Sequence, residues 1–207
     1  ITGHVDDLIA GMLAKAQRGE VVDFVADFAR PLPQRVMASV LGFPMEDIPR
    51  LEQWGNAQVM SYVIGTTHKN ILTPEQSAEK FRLLAGMKEY VAEKTREKRA
   101  APQDDMISFL TQVEYQALGR KLTDDEINGV VYAMVIGGLE TTQYALAEQA
   151  QLLCDRPGMF AQLRGDRAAI RTFIEEGMRL RSPTQGLSTR ICANDEVFQG
   201  VPVPAGS

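Results

Sequence analysis

Apolar residues recur along most of this chain at the three- and four-residue spacing of helices that bury one face. Val5, Leu8, Ile9, Met12, Leu13 and Ala16 form the first such stripe, which predicts a helix stopped near Gly19. Pro31 to Leu41 repeats the pattern through Val36, Met37, Val40 and Leu41, with Gly42 as a left-handed stop before the Pro44 turn. Two helical pieces are expected between Glu46 and Tyr62. Thr73-Pro74-Glu75-Gln76 gives a cap, a first-turn proline and an early acid to a long helix running through Phe81, Leu84, Met87 and Val91. Its charged end, Lys94 to Arg99, is expected to be solvated. A short helix over Asp104 to Val113 and a turn at Gly119-Arg120-Lys121 follow.

The longest element begins at Thr123-Asp124-Asp125-Glu126, a capping box in which Thr123 accepts from the Glu126 amide and Glu126 reaches back to Thr123. From Ile127 to Cys154 the residues are almost all apolar or small, which predicts one helix of roughly 40 Å, mostly wrapped by protein. Pro157-Gly158 ends it. A shorter helix to about Arg164 and another over Ala168 to Arg181 precede the Ser182-Pro183 break. Leu187 to Ala193 and Glu196 to Val203 then read as two short strands joined at Asn194-Asp195, the second bent by Gly200 and Pro202. The fold class is mainly α with a small β corner at the C-terminus, in one domain over residues 1–207.

Composition narrows the function classes. With 44% hydrophobic and 24% charged residues, the 207-residue chain has the make-up of a globular domain. A net charge of -5, with arginines and lysines scattered, gives no electrostatic footprint for nucleic acid. No apolar run approaches the roughly 20 residues that cross a bilayer, and Ile-Thr-Gly-His opens no signal peptide. Cys154 and Cys192 lack CxxC spacing, so both are expected to be thiols in a reducing, cytoplasmic setting. His4 and His68 have no metal-ligand spacing and are expected at the surface.

The chemistry concentrates at Gly137-Gly138-Leu139-Glu140-Thr141-Thr142, where local propensity opposes the helix. Each mid-helix glycine costs about 1 kcal/mol relative to alanine. One compensation is space: Gly137 lies one turn before Thr141, leaving a notch beside the hydroxyl that Gly138 widens, where a planar cofactor or small ligand could sit. Close crossing of a neighbouring helix is the other. The Thr141 hydroxyl can bond the Gly137 carbonyl and bend the helix, or be an ordinary back-bonded threonine. Glu140 needs a partner, water or a proton-handling role if it is buried. Downstream, Glu176 and Arg179 stand at i, i+3 and can pair through the planar guanidinium fork. Apolar Phe173, Ile174, Met178 and Leu180 around them predict partial burial.

Taken in order, the glycine-glycine-x-acid-Thr-Thr run deep in a long helix, followed by Glu-Glu-x-x-Arg, resembles the I and K helices of cytochromes P450. Leu152 to Pro157 and Phe160 to Arg164 are similar to that family's J-helix region, and Val22 to Pro33 with Val36 to Gly42 to the stretch leading into and forming the E helix of bacterial members. The resemblance spans essentially the whole chain. It implies a partial P450 fold with a long central I helix, and a parent haem-thiolate monooxygenase using heme b, O2, a small organic substrate and a ferredoxin- or flavodoxin-type redox partner. By the same resemblance Thr141 would be the distal threonine and Glu140 its acid in proton delivery. Gly137 and Gly138 would give oxygen and porphyrin close approach, and Ala133 and Met134 are candidate substrate contacts. Glu176 and Arg179 would lock the fold, and Arg190 would hold a haem propionate. Nothing after Arg190 resembles the Phe-x-x-Gly-x-x-x-Cys-x-Gly loop that carries the family's axial cysteine, and Trp54 has no arginine four residues on, as a C-helix would. The chain is therefore expected to be an internal segment, from near the D helix to just past the K helix, inactive without the axial cysteine. A catalytically dead helical fragment, or a binding or scaffold protein derived from a P450, is the rival reading.

Overall fold

The computed structural model describes residues 1–62, 71–117, 119–184 and 190–207. His68 and the first part of the strand expected from Leu187 lie outside the described residues. Helix α1 spans Thr2–Gln17, α2 Pro31–Leu41, α3 Ile48–Val59, α4 Pro74–Ala100 and α5 Met106–Gln112. After a two-residue hairpin, β1 Glu114–Tyr115 with β2 Arg120–Lys121, come α6 Asp124–Gly138, α7 Glu140–Asp155, α8 Pro157–Leu163 and α9 Arg167–Leu180. The chain closes on a second hairpin, β3 Glu196–Phe198 with β4 Val201–Val203.

The start signals act as their chemistry requires. Thr73 and Thr123 each accept from the amide three residues on, while Gln76 and Glu126 return the bond to the cap backbone. Gly42 closes α2 at φ 71. Ahead of α2, Val25–Ala29 is wound as a π-helical turn, closed by the Arg30 amide donating to the Val25 carbonyl at 2.9 Å.

One continuous core joins the helices from α2 to α6. Leu41, Leu51, Trp54, Met87, Val91, Ile107, Ile127, Val131 and Val135 are buried in it, and Tyr90 packs edge-on to Phe43 while donating to Asp47 at 2.6 Å. Apolar burial of this kind stabilises by roughly 25 cal/mol per Å², so these helices hold the molecule together. α7 packs against α9 and against the π-helical turn, extending away from that core.

Several expectations are corrected. The long helix is two, broken at Leu139 (φ -93, ψ -76), where its amide reaches the Val135 carbonyl at a stretched 3.3 Å. It is also not wrapped: α6 buries Ile127, Val131 and Val135, α7 buries Leu152, and Val130 and Tyr144 are exposed, because α2, α3 and α4 cover one face only. The charged end of α4 is not uniformly solvated either. Lys98 is 5% exposed and pairs with Asp105, the N-cap of α5, at 2.5 Å. Arg120 and Lys121 form a strand, with the turn before them. The segment expected as one bent C-terminal strand is a complete hairpin. Gln199 at φ 49 and Gly200 at φ 82 make the two-residue turn whose twist matches its strands. Residues 190–193, expected in a strand, are not in one.

Candidate functional site

The break at Leu139 sets the geometry of the site. Thr141, in the first turn of α7, donates its hydroxyl proton to the Gly137 carbonyl at 2.6 Å. That bond satisfies a carbonyl at the loosened turn, as either of the two readings of Thr141 requires. Gly137 is exposed, and a Cβ built on it would meet nothing within 4 Å. Ala133 is exposed one turn earlier, so Ala133, Gly137 and Thr141 lie along one open face.

Gly138 does something else. A Cβ there would come to 2.0 Å from the Met37 Cε of α2, so this glycine admits close helix packing and does not widen the notch. Of the two alternatives the sequence left open for the glycine pair, each residue takes one. Met134 packs against the core, away from the open face.

Glu140 faces a different space. It lines a cavity of about 260 Å³ with Arg30, Gln34, Glu52, Gly55, Asn56, Leu139, Gln143 and Tyr144, a lining that includes neither Gly137 nor Thr141. The side chain is half-buried, and burial raises its carboxyl above the ordinary range. No described residue pairs with it. Sequence reasoning missed Gln34, Glu52, Asn56 and Gln143, whose one local signal is polarity on faces that otherwise bury apolar groups.

Glu176 and Arg179 pair as expected, Arg179 donating from Nη2 at 2.5 Å and from Nε at 2.8 Å. They are not buried: their side chains are 53% and 67% exposed, because α9 buries only Gly177 of its residues. The hydrogen bond from Arg179 lowers the Glu176 carboxyl. Beside the pair, Leu152, Met159, Leu163, Phe173 and Leu180 line an apolar groove of about 230 Å³ between α7, α8 and α9. Arg190 is exposed, ahead of the C-terminal hairpin, and lines neither cavity. Cys154 is exposed on α7 and Cys192 half-buried beside the hairpin. Among the described residues no helix is long and apolar enough to cross a membrane, and no three His, Cys, Asp or Glu side chains gather as a metal site.

Comparison with known proteins gives the context. Residues 4–207 match the family model described as Cytochrome P450. The chain is 27% identical over 206 residues to the polyketide biosynthesis cytochrome P450 PksS of Bacillus subtilis (strain 168), covering all of this chain and 48% of that protein. It is 34% identical over 168 residues to the cyclomarin C epoxidase CymV of Salinispora arenicola (strain CNS-205), covering 81% of this chain and 40% of that protein. The ligand-free structure of cytochrome P450 TbtJ1 superposes with a TM-score of 0.80 at 27% identity, over 99% of this chain and 50% of that one. The chain thus spans about half the length of these relatives.

Proposed function

Because the chain belongs to the cytochrome P450 family, we propose that it forms the distal side of a haem-thiolate monooxygenase site, with Thr141 and Glu140 handling protons. When bound, haem b with a thiolate ligand supplies dioxygen activation, using electrons from a ferredoxin- or flavodoxin-type partner to place one oxygen atom in a small organic substrate. The residues present fit the distal face of that group. A flat macrocycle needs a bare stretch of helix backbone, and the space beyond Gly137, continued through Ala133, is such a stretch.

The observation that carries this reading is the Thr141 hydroxyl at the edge of that notch, with Glu140 next to it in the first turn of α7. With its proton on the Gly137 carbonyl, the hydroxyl presents lone pairs to the open face, where it can accept from water. On turning away from Gly137 it becomes a donor to whatever occupies the notch. Glu140, its carboxyl raised by burial, gains and loses protons closer to neutral pH than an exposed glutamate, which suits an acid that resupplies the threonine.

The other residues take supporting parts. Ala133 is the better placed of the two substrate candidates, since Met134 is taken up by the core. Gly138 supports the site by letting α2 close on the helix. Glu176 and Arg179 pair with each other on the exposed face of α9, and Arg190 would bind a propionate through its fork. In the haem-bound enzyme, Thr141→Ala is expected to uncouple oxygen consumption from product, lowering product formed per O2 by roughly tenfold or more. Oxygen electrode and product assays on the same sample check this, and unchanged coupling would remove Thr141 from its role.

A further inference from the structure

Gln58, on α3, is fully buried at 0% exposure, inside the core that α3 shares with α4 and α6. Its Nε2 donates to the Tyr132 carbonyl of α6 at 3.0 Å and lies 3.6 Å from the Met87 sulfur of α4. Its Oε1, equally enclosed, has no hydrogen-bond partner among the described residues. A buried amide that makes one such bond and strands an acceptor stabilises less than a methionine or leucine of similar volume. Stability therefore does not account for a glutamine at this position. A hydrogen bond to one carbonyl does what apolar packing cannot, which is to select a single register.

The selected carbonyl belongs to the residue before Ala133, one turn ahead of Ile136 and Gly137, at the start of the open face that leads to Thr141. A carbonyl oxygen has two lone pairs, so the Gln58 bond adds to the helical one without replacing it. At the other end of this stretch the contacts are apolar. A Cβ on Gly55 of α3 would stand 3.1 Å from Leu139, and Met37 of α2 closes on Gly138. Apolar contacts have no direction, so a helix can shift along them at little cost. We propose that Gln58 is a positioning residue for the site: its bond to the Tyr132 carbonyl fixes the register of α6 on α3, and with it the Leu139 break and the Thr141 hydroxyl beyond. The proposal rests on the reading of Thr141 as the residue that handles protons at the notch, and names what holds that hydroxyl in place. Setting register at the expense of stability is the best-attested use of a buried polar group.

Amide hydrogen exchange on the 207-residue chain reads the register, because the Leu139 amide donates to Val135 at the stretched 3.3 Å that marks the break. Gln58→Met keeps the length of the side chain and removes both the donor and the stranded oxygen. The melting temperature is expected to hold or to rise by about 2–4 °C, while Leu139 protection falls about tenfold, the factor that one lost hydrogen bond is worth. Thr95→Val removes another fully buried, unpartnered oxygen, from α4, and is expected to raise the melting temperature with Leu139 protection kept within about twofold. Gln58→Glu introduces a carboxyl that burial holds protonated, so that it donates in place of the amide. At pH 5 it is expected to restore Leu139 protection to within about twofold of wild type. Should Gln58→Met not fold, Gln58→Glu carries the test, with protection near wild type at pH 5 and about threefold lower or more once alkali ionises the carboxyl. In the haem-bound enzyme Gln58→Met is expected to lower product formed per O2 by about threefold or more, and Thr95→Val to leave it unchanged. The register role is refuted when Gln58→Met keeps wild-type protection at Leu139, or when Thr95→Val lowers it as far. Lost protection with full coupling in Gln58→Met, where Thr141→Ala uncouples, would make Gln58 a structural residue only. Coupling that survives Thr141→Ala overturns the Thr141 reading instead, and leaves the exchange result on the haem-free chain as it stands.

Discussion

A methyl group at Gly137 and one at Gly138 meet opposite surroundings. At Gly137 it enters open space, so Gly137→Ala gains helix propensity without a clash and is expected to raise stability by up to about 1 kcal/mol, while filling the notch beside Thr141. At Gly138 it meets Met37, whose flexible end must swing aside, and the strain of overpacking outweighs the propensity gain. Gly138→Ala is expected to lose about 1 kcal/mol in urea unfolding, and Met37→Ala in the same chain to remove most of that loss. Equal stabilisation by both alanines would show that the two glycines are equivalent. The sequence carried the Gly137 and Thr141 relation, because four residues is one helical turn. It could not carry the Gly138 partner: Met37 is a hundred positions away, and no local pattern encodes which helix crosses there. Glu140 was legible as an acid in an apolar helix, but its cavity depends on side chains from α2 and α3.

Elements were legible where their signals are local. The capping boxes at Thr73 and Thr123 start α4 and α6 as written in the sequence, since cap, proline and returning acid all lie within four residues. The C-terminal hairpin is not legible in the sequence, because Gly200 alone reads as a bend, whereas with Gln199 also at positive φ the two residues form the turn. The tail of α4 is hidden from sequence for a different reason. Six residues rich in charge look solvated, yet α5 folds back and places Asp105 against Lys98, with both side chains almost fully buried. Asp105 also accepts from the Ser108 amide, and Lys98 donates to Gln103, so the pair ties the end of α4 to the start of α5. Lys98→Met leaves the Asp105 carboxylate uncompensated and is expected to lose about 3–5 kcal/mol. Lys98→Met with Asp105→Asn, which keeps the cap and removes the stranded charge, is expected to recover more than half of it. Urea denaturation reads both; a single variant as stable as wild type would make the pair a surface one, like the exposed Glu79 and Arg82 on the same helix.

At the scale of the molecule the core is one-sided. The helices from α2 to α6 share it, while α7, α8 and α9 border an apolar groove, and Val197, Phe198 and Val201 of the second hairpin are exposed. The sequence predicted helices with buried stripes, yet of the stripe expected in α2 Leu41 is buried, Val36 and Met37 are half-buried and Val40 is exposed. It could not say which apolar faces this chain leaves uncovered, because periodicity marks a face as apolar without naming its cover. The distribution of the two cysteines bears directly on haem. A thiolate that holds iron against the distal face of Thr141 must come from the opposite side of the macrocycle. Cys154 lies thirteen residues beyond Thr141 on the same helix, about 20 Å along its axis, and so stands on the wrong side and at the wrong height. Cys192 is held by the end of the chain: its amide donates to the Ser207 carbonyl at 3.0 Å, and its carbonyl accepts from Gly206 at 2.8 Å. We propose that neither cysteine ligates the iron. The 207-residue chain mixed with reduced haem and carbon monoxide is therefore expected to show no thiolate-type absorption band, and Cys154→Ala with Cys192→Ala to leave whatever haem spectrum it gives unchanged. A thiolate band abolished by Cys192→Ala would mean that the hairpin docks against the face carrying Thr141, and that this chain holds both halves of the site.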